Sequence, residues 1–152
     1  MTSANSPKTI LLVEDNPKDV ELTLAALKQH HLATEVAIAR DGSEALDFMF
    51  RRGQFEERPK GDPLVILLDL KMPRVDGLEV LRMIKSDASL KTIPVVMLTS
   101  SREEADLVES YRLGVNAYVV KPVCFEEFVN AIAQTGKFWT VVNALPRGNA
   151  DS

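Results

Sequence analysis

The chain has a single cysteine, Cys124, which excludes an internal disulfide and the paired thiols of a cysteine metal motif. It has only two histidines, His30 and His31. They are adjacent near the expected end of the first helix, where neighbouring side chains cannot both face one site, so both read as surface or packing residues. No apolar run approaches the roughly 18 residues of a membrane span, and the opening "MTSANSPK" lacks the apolar stretch of a secretory signal. An excess of positive charge is also missing: the net charge is -4 and the isoelectric point about 5.2, which argues against a nucleic-acid surface. There are no internal repeats and no low-complexity segment. These absences leave a cytoplasmic, mildly acidic protein with neither membrane nor nucleic acid as partner. Cys124, beside Phe125, then reads as a plain capping or packing thiol. With 152 residues, 45% of them hydrophobic and 26% charged, one globular domain is expected. A domain of that size buries roughly two-thirds of the surface its unfolded chain exposes.

What is present is a set of five short apolar runs: "TILLV" (9–13), "EVAIA" (35–39), "LVILLD" (64–69), "PVVMLT" (94–99) and "NAYVV" (116–120). Each is strand-length, rich in β-branched residues and nearly continuous in hydrophobicity, as strands covered on both faces of a parallel sheet are. Helical spacing fills the intervals. Asn16-Pro17 supplies an N-cap and a first-turn proline before Val20, Leu24 and Leu27. Ser43 is the expected cap of a second helix with Leu46, Met49 and Phe50 on one side, and Gly77 precedes a third carrying Val80, Leu81 and Ile84. Ser101 and Glu104 match a capping box before Leu107, Val108 and Tyr111, and Phe125, Phe128, Val129 and Ile132 form a stripe for a fifth helix. Strand and helix thus alternate five times, an α/β pattern implying a parallel sheet with right-handed crossovers and helices on both faces. The stretch "GQFEERPKGDP" (53–63) reads as a solvated loop, and Met1–Ser6 and Arg147–Ser152 as frayed ends.

Ligands of such sheets bind beyond the carboxyl ends of the strands, where the strand order reverses. Strand 1 ends in Glu14-Asp15, strand 3 in Asp69, strand 4 in Thr99-Ser100 and strand 5 in Lys121-Pro122, whereas strand 2 ends in the ordinary turn Arg40-Asp41-Gly42 and is expected at the outer edge. Any one strand-end carboxylate could be a solvated turn residue. Three converging ones are different, because each pair at about 5 Å repels by roughly 3 kcal/mol at an effective dielectric of about 20. All-oxygen, highly charged ligands suit a hard divalent cation, Mg²⁺ first, with Mn²⁺ able to substitute. Lys121 adds a cation and Thr99 a hydroxyl. The set fits a phosphoryl group, with Asp69 placed to act as a nucleophile on phosphorus and Met72-Pro73 and Asp76-Gly77 turning the chain away from it.

Glu14-Asp15, Asp69, "MPRVDG", Thr99 and Lys121-Pro122, in this order and on these strands, resemble the receiver domains of two-component response regulators, the CheY-like family. The resemblance covers about residues 9–134 and implies the doubly wound (βα)5, flavodoxin-like sheet order 2-1-3-4-5. It further implies that Asp69 accepts a phosphoryl group from a sensor histidine kinase, and that Glu14, Asp15, Asp69 and the backbone carbonyl of Lys71 hold Mg²⁺. Lys121 would pair with the phosphoryl group, its bond to Pro122 cis, while Thr99 and Tyr118 would form the switch. Glu at position 14, where Asp is commoner, lengthens that arm and favours a water-mediated contact. The chain stops where a receiver stops, so a stand-alone single domain is expected, core about 8–136 and extension 137–152, with an unidentified downstream protein as target. The loop before strand 3 and the tail "GKFWTVVNALP" also resemble the small regulators that partner bacterial phytochrome kinases.

An aspartyl phosphatase of the haloacid-dehalogenase type needs an acid two positions beyond the nucleophile, where this chain has Lys71. A flavodoxin-like cofactor binder fails on charge, because "VEDNPKD" would repel a phosphate. An adaptor that never uses the phosphorylation site stays open. The C-terminal stripe reaches Phe138, Trp139 and Val142; either these fold back after Gly136, or the helix runs to about Asn143 and makes a homodimer interface.

Overall fold

The computed structural model describes residues 9–29, 35–59, 61–70, 72, 75–100, 112–115 and 117–134. Its elements are β1 (Thr9–Val13), α1 (Pro17–Gln29), β2 (Glu35–Ala39), α2 (Gly42–Phe50), a 3₁₀ turn (Gly53–Phe55), β3 (Val65–Asp69), α3 (Gly77–Lys85), β4 (Val95–Thr99), β5 (Ala117–Val120) and α4 (Phe125–Gln134). The five strands are parallel in the order β2-β1-β3-β4-β5, as the resemblance implied. The helix expected from Ser101 to Tyr111, His30, His31, Lys71, the chain ends and the tail with Phe138, Trp139 and Val142 lie outside the described residues.

Alternate residues of each central strand feed two separate cores. Ile10, Leu12, Val65, Leu67, Val96 and Leu98 face Val20 and Leu27 of α1 and Phe128, Ala131 and Ile132 of α4. Leu11, Val13, Ile66, Leu68, Val95 and Met97 face Ala45, Leu46 and Met49 of α2 and Val80, Leu81 and Ile84 of α3. All five residues of β3 and of β4 are buried, which is why these runs are continuous in hydrophobicity. Fully burying one such side chain is worth about 1.5–3 kcal/mol. Edge strand β2 is only partly covered.

The helix starts differ in detail from the sequence expectation. Asn16 caps α1 as expected, its Oδ1 accepting from the N–H groups of Lys18 at 2.8 Å and Asp19 at 3.3 Å. The cap of α2 is Asp41, not Ser43: Asp41 Oδ1 accepts from the Glu44 N–H at 2.8 Å, and Glu44 Oε1 reaches back to the Arg40 N–H at 2.8 Å. In α3 the cap is Asp76, accepting from the Glu79 N–H at 3.0 Å, and Gly77 is already helical. Asp outcompetes Ser because its carboxylate also meets the positive end of the helix.

The segment after α2 is not simply solvated. Arg51 adopts the left-handed conformation (φ 54°), and the Arg58 guanidinium stacks over the Phe48 ring at 4.2 Å while donating to the Phe48 carbonyl at 2.8 Å. Phe55 meets Phe48 edge to face at 5.2 Å. An arginine folding back onto the last turn of α2 thus ties down a loop whose composition alone reads as solvent-facing. Cys124 stands at the start of α4, its carbonyl accepting from the Phe128 N–H at 3.0 Å, but its thiol is exposed rather than packed.

Two glycines hold the connection after β3. A Cβ on Gly42 would lie 1.8 Å from the Val75 carbonyl oxygen, and one on Gly77 would lie 2.3 Å from the carbonyl oxygen of Asp69. Gly77 lets α3 begin against the backbone of Asp69. Gly77→Ala is therefore expected to lower stability by about 1–3 kcal/mol through the backbone shift it forces. Thermal unfolding reads this directly, and an unchanged midpoint would contradict it.

Candidate functional site

The sheet register brings the polar strand ends together. Val13 pairs with Leu68, Asp69 with Leu98 and Thr99 with Val120, so Glu14, Asp69, Thr99 and Lys121 stand side by side one step later at the carboxyl edge. The Lys121 N–H donates to the Thr99 carbonyl at 2.7 Å and fixes the last of these strands to its neighbour. This edge lies at the β1–β3 boundary, where the chain winds first toward β2 and then toward β4 and β5.

A cavity of about 270 Å³ opens here, lined by Glu14, Asp15, Asn16, Asp19, Asp69, Leu70, Thr99, Ser100 and Lys121. Glu14, Asp69 and Thr99 are buried and Asp15 is exposed. Burial removes the reading of Glu14 and Asp69 as solvated turn carboxylates. Carboxylate oxygens of Glu14, Asp15 and Asp69 all lie within 4.8 Å of one another. Facing them, the Lys121 ammonium lies 3.1 Å from Glu14 Oε1, 2.9 Å from Asp19 Oδ2 and 3.4 Å from Asp69 Oδ1. The peptide bond between Lys121 and Pro122 is cis, as the resemblance implied. Both oxygens of Glu14 meet Lys121, and Oε2 also accepts from the Asn16 N–H at 3.3 Å.

Asp19 was not foreseen. It stands in the first turn of α1, where an acidic residue is ordinary, so the local sequence carries no signal that sets it apart. Tyr118 sits half-buried on β5 and packs partly against the core on the α2–α3 side. Lys71 lies outside the described residues.

Electrostatics show the strain of assembling these groups. Burial pushes the Glu14 carboxyl up to about 7, with the charge of Asp69 adding to the rise against the pull of Lys121. Burial likewise raises Asp69, opposed by the Lys121 charge. For Lys121, burial works against the ammonium, but the bond to Asp19 and the charges of Asp69 and Glu14 outweigh it, and its pKa rises. Four carboxylates against one ammonium leave a formal excess of three negative charges. Oxygen donors only, with this excess of negative charge and no nitrogen or sulfur ligand in the lining, fit a hard divalent cation of the Mg²⁺ or Mn²⁺ kind.

One consequence is measurable. The folded Glu14 pKa of about 7 lies above its ordinary value of 4.5, so the group's contribution to stability is full below about 4.5 and is lost as pH rises through about 7. In chelator, the melting-temperature advantage of Glu14→Gln over wild type is expected to grow as pH rises from about 5 to about 7.5. A pH-independent difference would contradict this.

Fold and site together define a doubly wound α/β protein whose sheet edge carries a carboxylate–ammonium centre suited to a phosphoryl group. The profile of the "Response regulator receiver domain" family matches residues 10–133, and the chain belongs to that family. It is a phosphorelay response regulator, a signalling switch. Response regulator Rcp1 of Synechocystis sp. is 41% identical over 143 residues, covering 94% of this chain and 96% of Rcp1. The solved structure of the bacteriophytochrome response regulator AtBRR is 61% identical, covering 91% of this chain and 99% of that one, with a TM-score of 0.84. The Mn²⁺-bound form of Rcp1 superposes with a TM-score of 0.72 at 40% identity, covering 92% of this chain and 99% of that one. The phosphorylated cyanobacterial phytochrome response regulator RcpA gives 0.73 at 40% identity, covering 93% and 99%. No helix among the described residues is long and apolar enough to cross a membrane.

Proposed function

We propose that Asp69 is the phosphoacceptor of this regulator and that a sensor histidine kinase, of the bacterial phytochrome type, is the donor. An Asp69 carboxylate oxygen attacks the phosphorus of a phosphohistidine; the P–O bond forms, the P–N bond breaks, and the imidazole nitrogen leaves with the electron pair and takes a proton from solvent. Glu14, Asp15 and Asp69, with the backbone carbonyl of Lys71, would hold one Mg²⁺ or Mn²⁺, which when bound supplies positive charge to the phosphoryl oxygens. Lys121 pairs with the same oxygens. Thr99, buried beside Asp69 at the cavity wall, offers its hydroxyl to one of them, and Tyr118 on the neighbouring strand moves with it. The protein then acts as a switch presenting a surface to a downstream protein, not as a turnover enzyme, within a single receiver domain in the cytoplasm.

The observation that carries this reading is the Lys121 ammonium within 3.4 Å of the buried Asp69 carboxylate, with Glu14 and Asp15 gathered beside it. The Mn²⁺-bound and phosphorylated relatives support it. Incubation with phosphoramidate, with Mg²⁺ or with chelator, followed by intact mass, tests it. A stable gain of one phosphoryl group only with Mg²⁺ is expected. Rapid catalytic turnover of phosphate esters would favour the phosphatase, and no gain at all the phosphate-independent adaptor.

We place a homodimer interface at Phe138, Trp139 and Val142, because the apolar stripe of α4, with Phe128 and Ile132 buried, continues into them at helical spacing. Trp139→Ala is expected to weaken self-association at least about tenfold, as loss of a central aromatic anchor does, without affecting phosphoryl uptake. Sedimentation over a wide concentration range measures this, and a wild type that stays monomeric with and without phosphoryl donor defeats it.

A further inference from the structure

Lys121 is shared among three carboxylates, and they are not equivalent. Its shortest contact is to Asp19 Oδ2 at 2.9 Å, against 3.1 and 3.3 Å to the two oxygens of Glu14 and 3.4 Å to Asp69 Oδ1. An ammonium has three N–H donors, and the hydrogen bonds to Asp19 and to the two oxygens of Glu14 use all of them, Asp69 being held as an ion pair. A phosphoryl oxygen arriving on Asp69 needs one. Glu14, with a side chain 0% exposed, has no access to water that could take the place of the ammonium, and Asp69 itself carries the arriving group. Asp19 is different. Its side chain is 27% exposed, it lies in the first turn of a helix whose N-terminus favours negative charge, and water can replace the ammonium there. Nor does it belong to the carboxylate group that could hold a metal among the described residues.

We propose that Asp19 is a positioning residue for Lys121: it holds the ammonium against the first turn of α1 in the unphosphorylated protein and competes with the phosphoryl group for it. Asp19 thereby sets how strongly phosphorylation engages Lys121, and so the balance between the two states of the switch. The role rests on the phosphoacceptor reading of Asp69.

Fluoroberyllate with Mg²⁺, a non-covalent stand-in for the phosphoryl group, tests it in a double-mutant cycle. Asp19→Asn is expected to tighten fluoroberyllate binding about fivefold, the size of one partly screened ion pair. In the Lys121→Met background the same substitution is expected to change nothing, because Asp19 acts through the ammonium. An Asp19→Asn affinity equal to or weaker than wild type overturns the role, and so does equal tightening in both backgrounds, which would be a general charge effect. Should Lys121→Met fail to fold, hydrogen exchange of the Lys121 ammonium protons decides the matter. It is expected to be faster in Asp19→Asn than in wild type before the anion is added, and equal rates overturn the role. A wild type that binds no fluoroberyllate defeats the phosphoacceptor reading itself, whereas wild-type binding matched by Asp19→Asn defeats only the role of Asp19.

Discussion

Asp69→Asn is expected to reduce Mg²⁺-dependent phosphoryl uptake below detection, because an amide oxygen cannot displace a group from phosphorus at a useful rate. Removing the nucleophile from a covalent catalytic unit costs on the order of 10⁶ in rate in a well-studied case, so a residual uptake of even about one per cent would point to a different acceptor. The loss will not come from unfolding. Asp69 is buried beside Glu14, and burial pushes both carboxyls up, so holding them ionised costs desolvation. A neutral isostere relieves that strain. The metal-free Asp69→Asn protein is expected to melt at or above the wild-type temperature at pH 7 while failing to take up phosphoryl groups. Lost uptake together with a lower melting temperature would mean that the carboxylate is structural.

Asp15→Ala is expected to weaken Mg²⁺ binding by at least on the order of a hundredfold, since even the loss of a residue that only supports a ligand costs about 10- to 100-fold. Asp15 is exposed. Its removal therefore leaves folding unchanged, and the effect reads out the metal alone, by titration calorimetry with Mg²⁺ and separately with Mn²⁺. Phosphoryl uptake should fall with it and recover at high Mg²⁺, because Glu14, Asp69 and Lys121 are still in place. Unchanged Mg²⁺ affinity would remove Asp15 from the site.

Much of this is legible in the sequence, for physical reasons that differ from residue to residue. Strand β1 falls on the residues read from the sequence, because a strand covered on both faces must be apolar throughout and then stop at a polar edge, and the partly covered edge strand β2 falls on them as well. Glu14, Asp69, Thr99 and Lys121 were found because each follows such a run at the same end of the sheet. Caps are less legible: Ser43 and Asp41 both suit an N-cap, and Asp41 takes the role through its bond from the Glu44 N–H and the return bond of Glu44 to the Arg40 N–H. The loop after α2 was hidden because stacking of Arg58 on Phe48 is a contact between partners whose composition reads as solvated. Asp19 was hidden for a related reason. An acidic residue in the first turn of a helix is ordinary, and only the arrival of Lys121 from the far end of the chain gives it a partner.

The central claim is that one carboxylate, Asp69, carries the phosphoryl group. Reductive trapping tests it most directly. The protein is incubated with phosphoramidate and Mg²⁺, then treated with borohydride, which reduces an aspartyl phosphate to homoserine, and the position of the homoserine is read by peptide sequencing. Homoserine at position 69 alone, absent when chelator replaces Mg²⁺, is the predicted result. Homoserine at position 15 or 19, or none in protein that has gained phosphoryl mass, would contradict it.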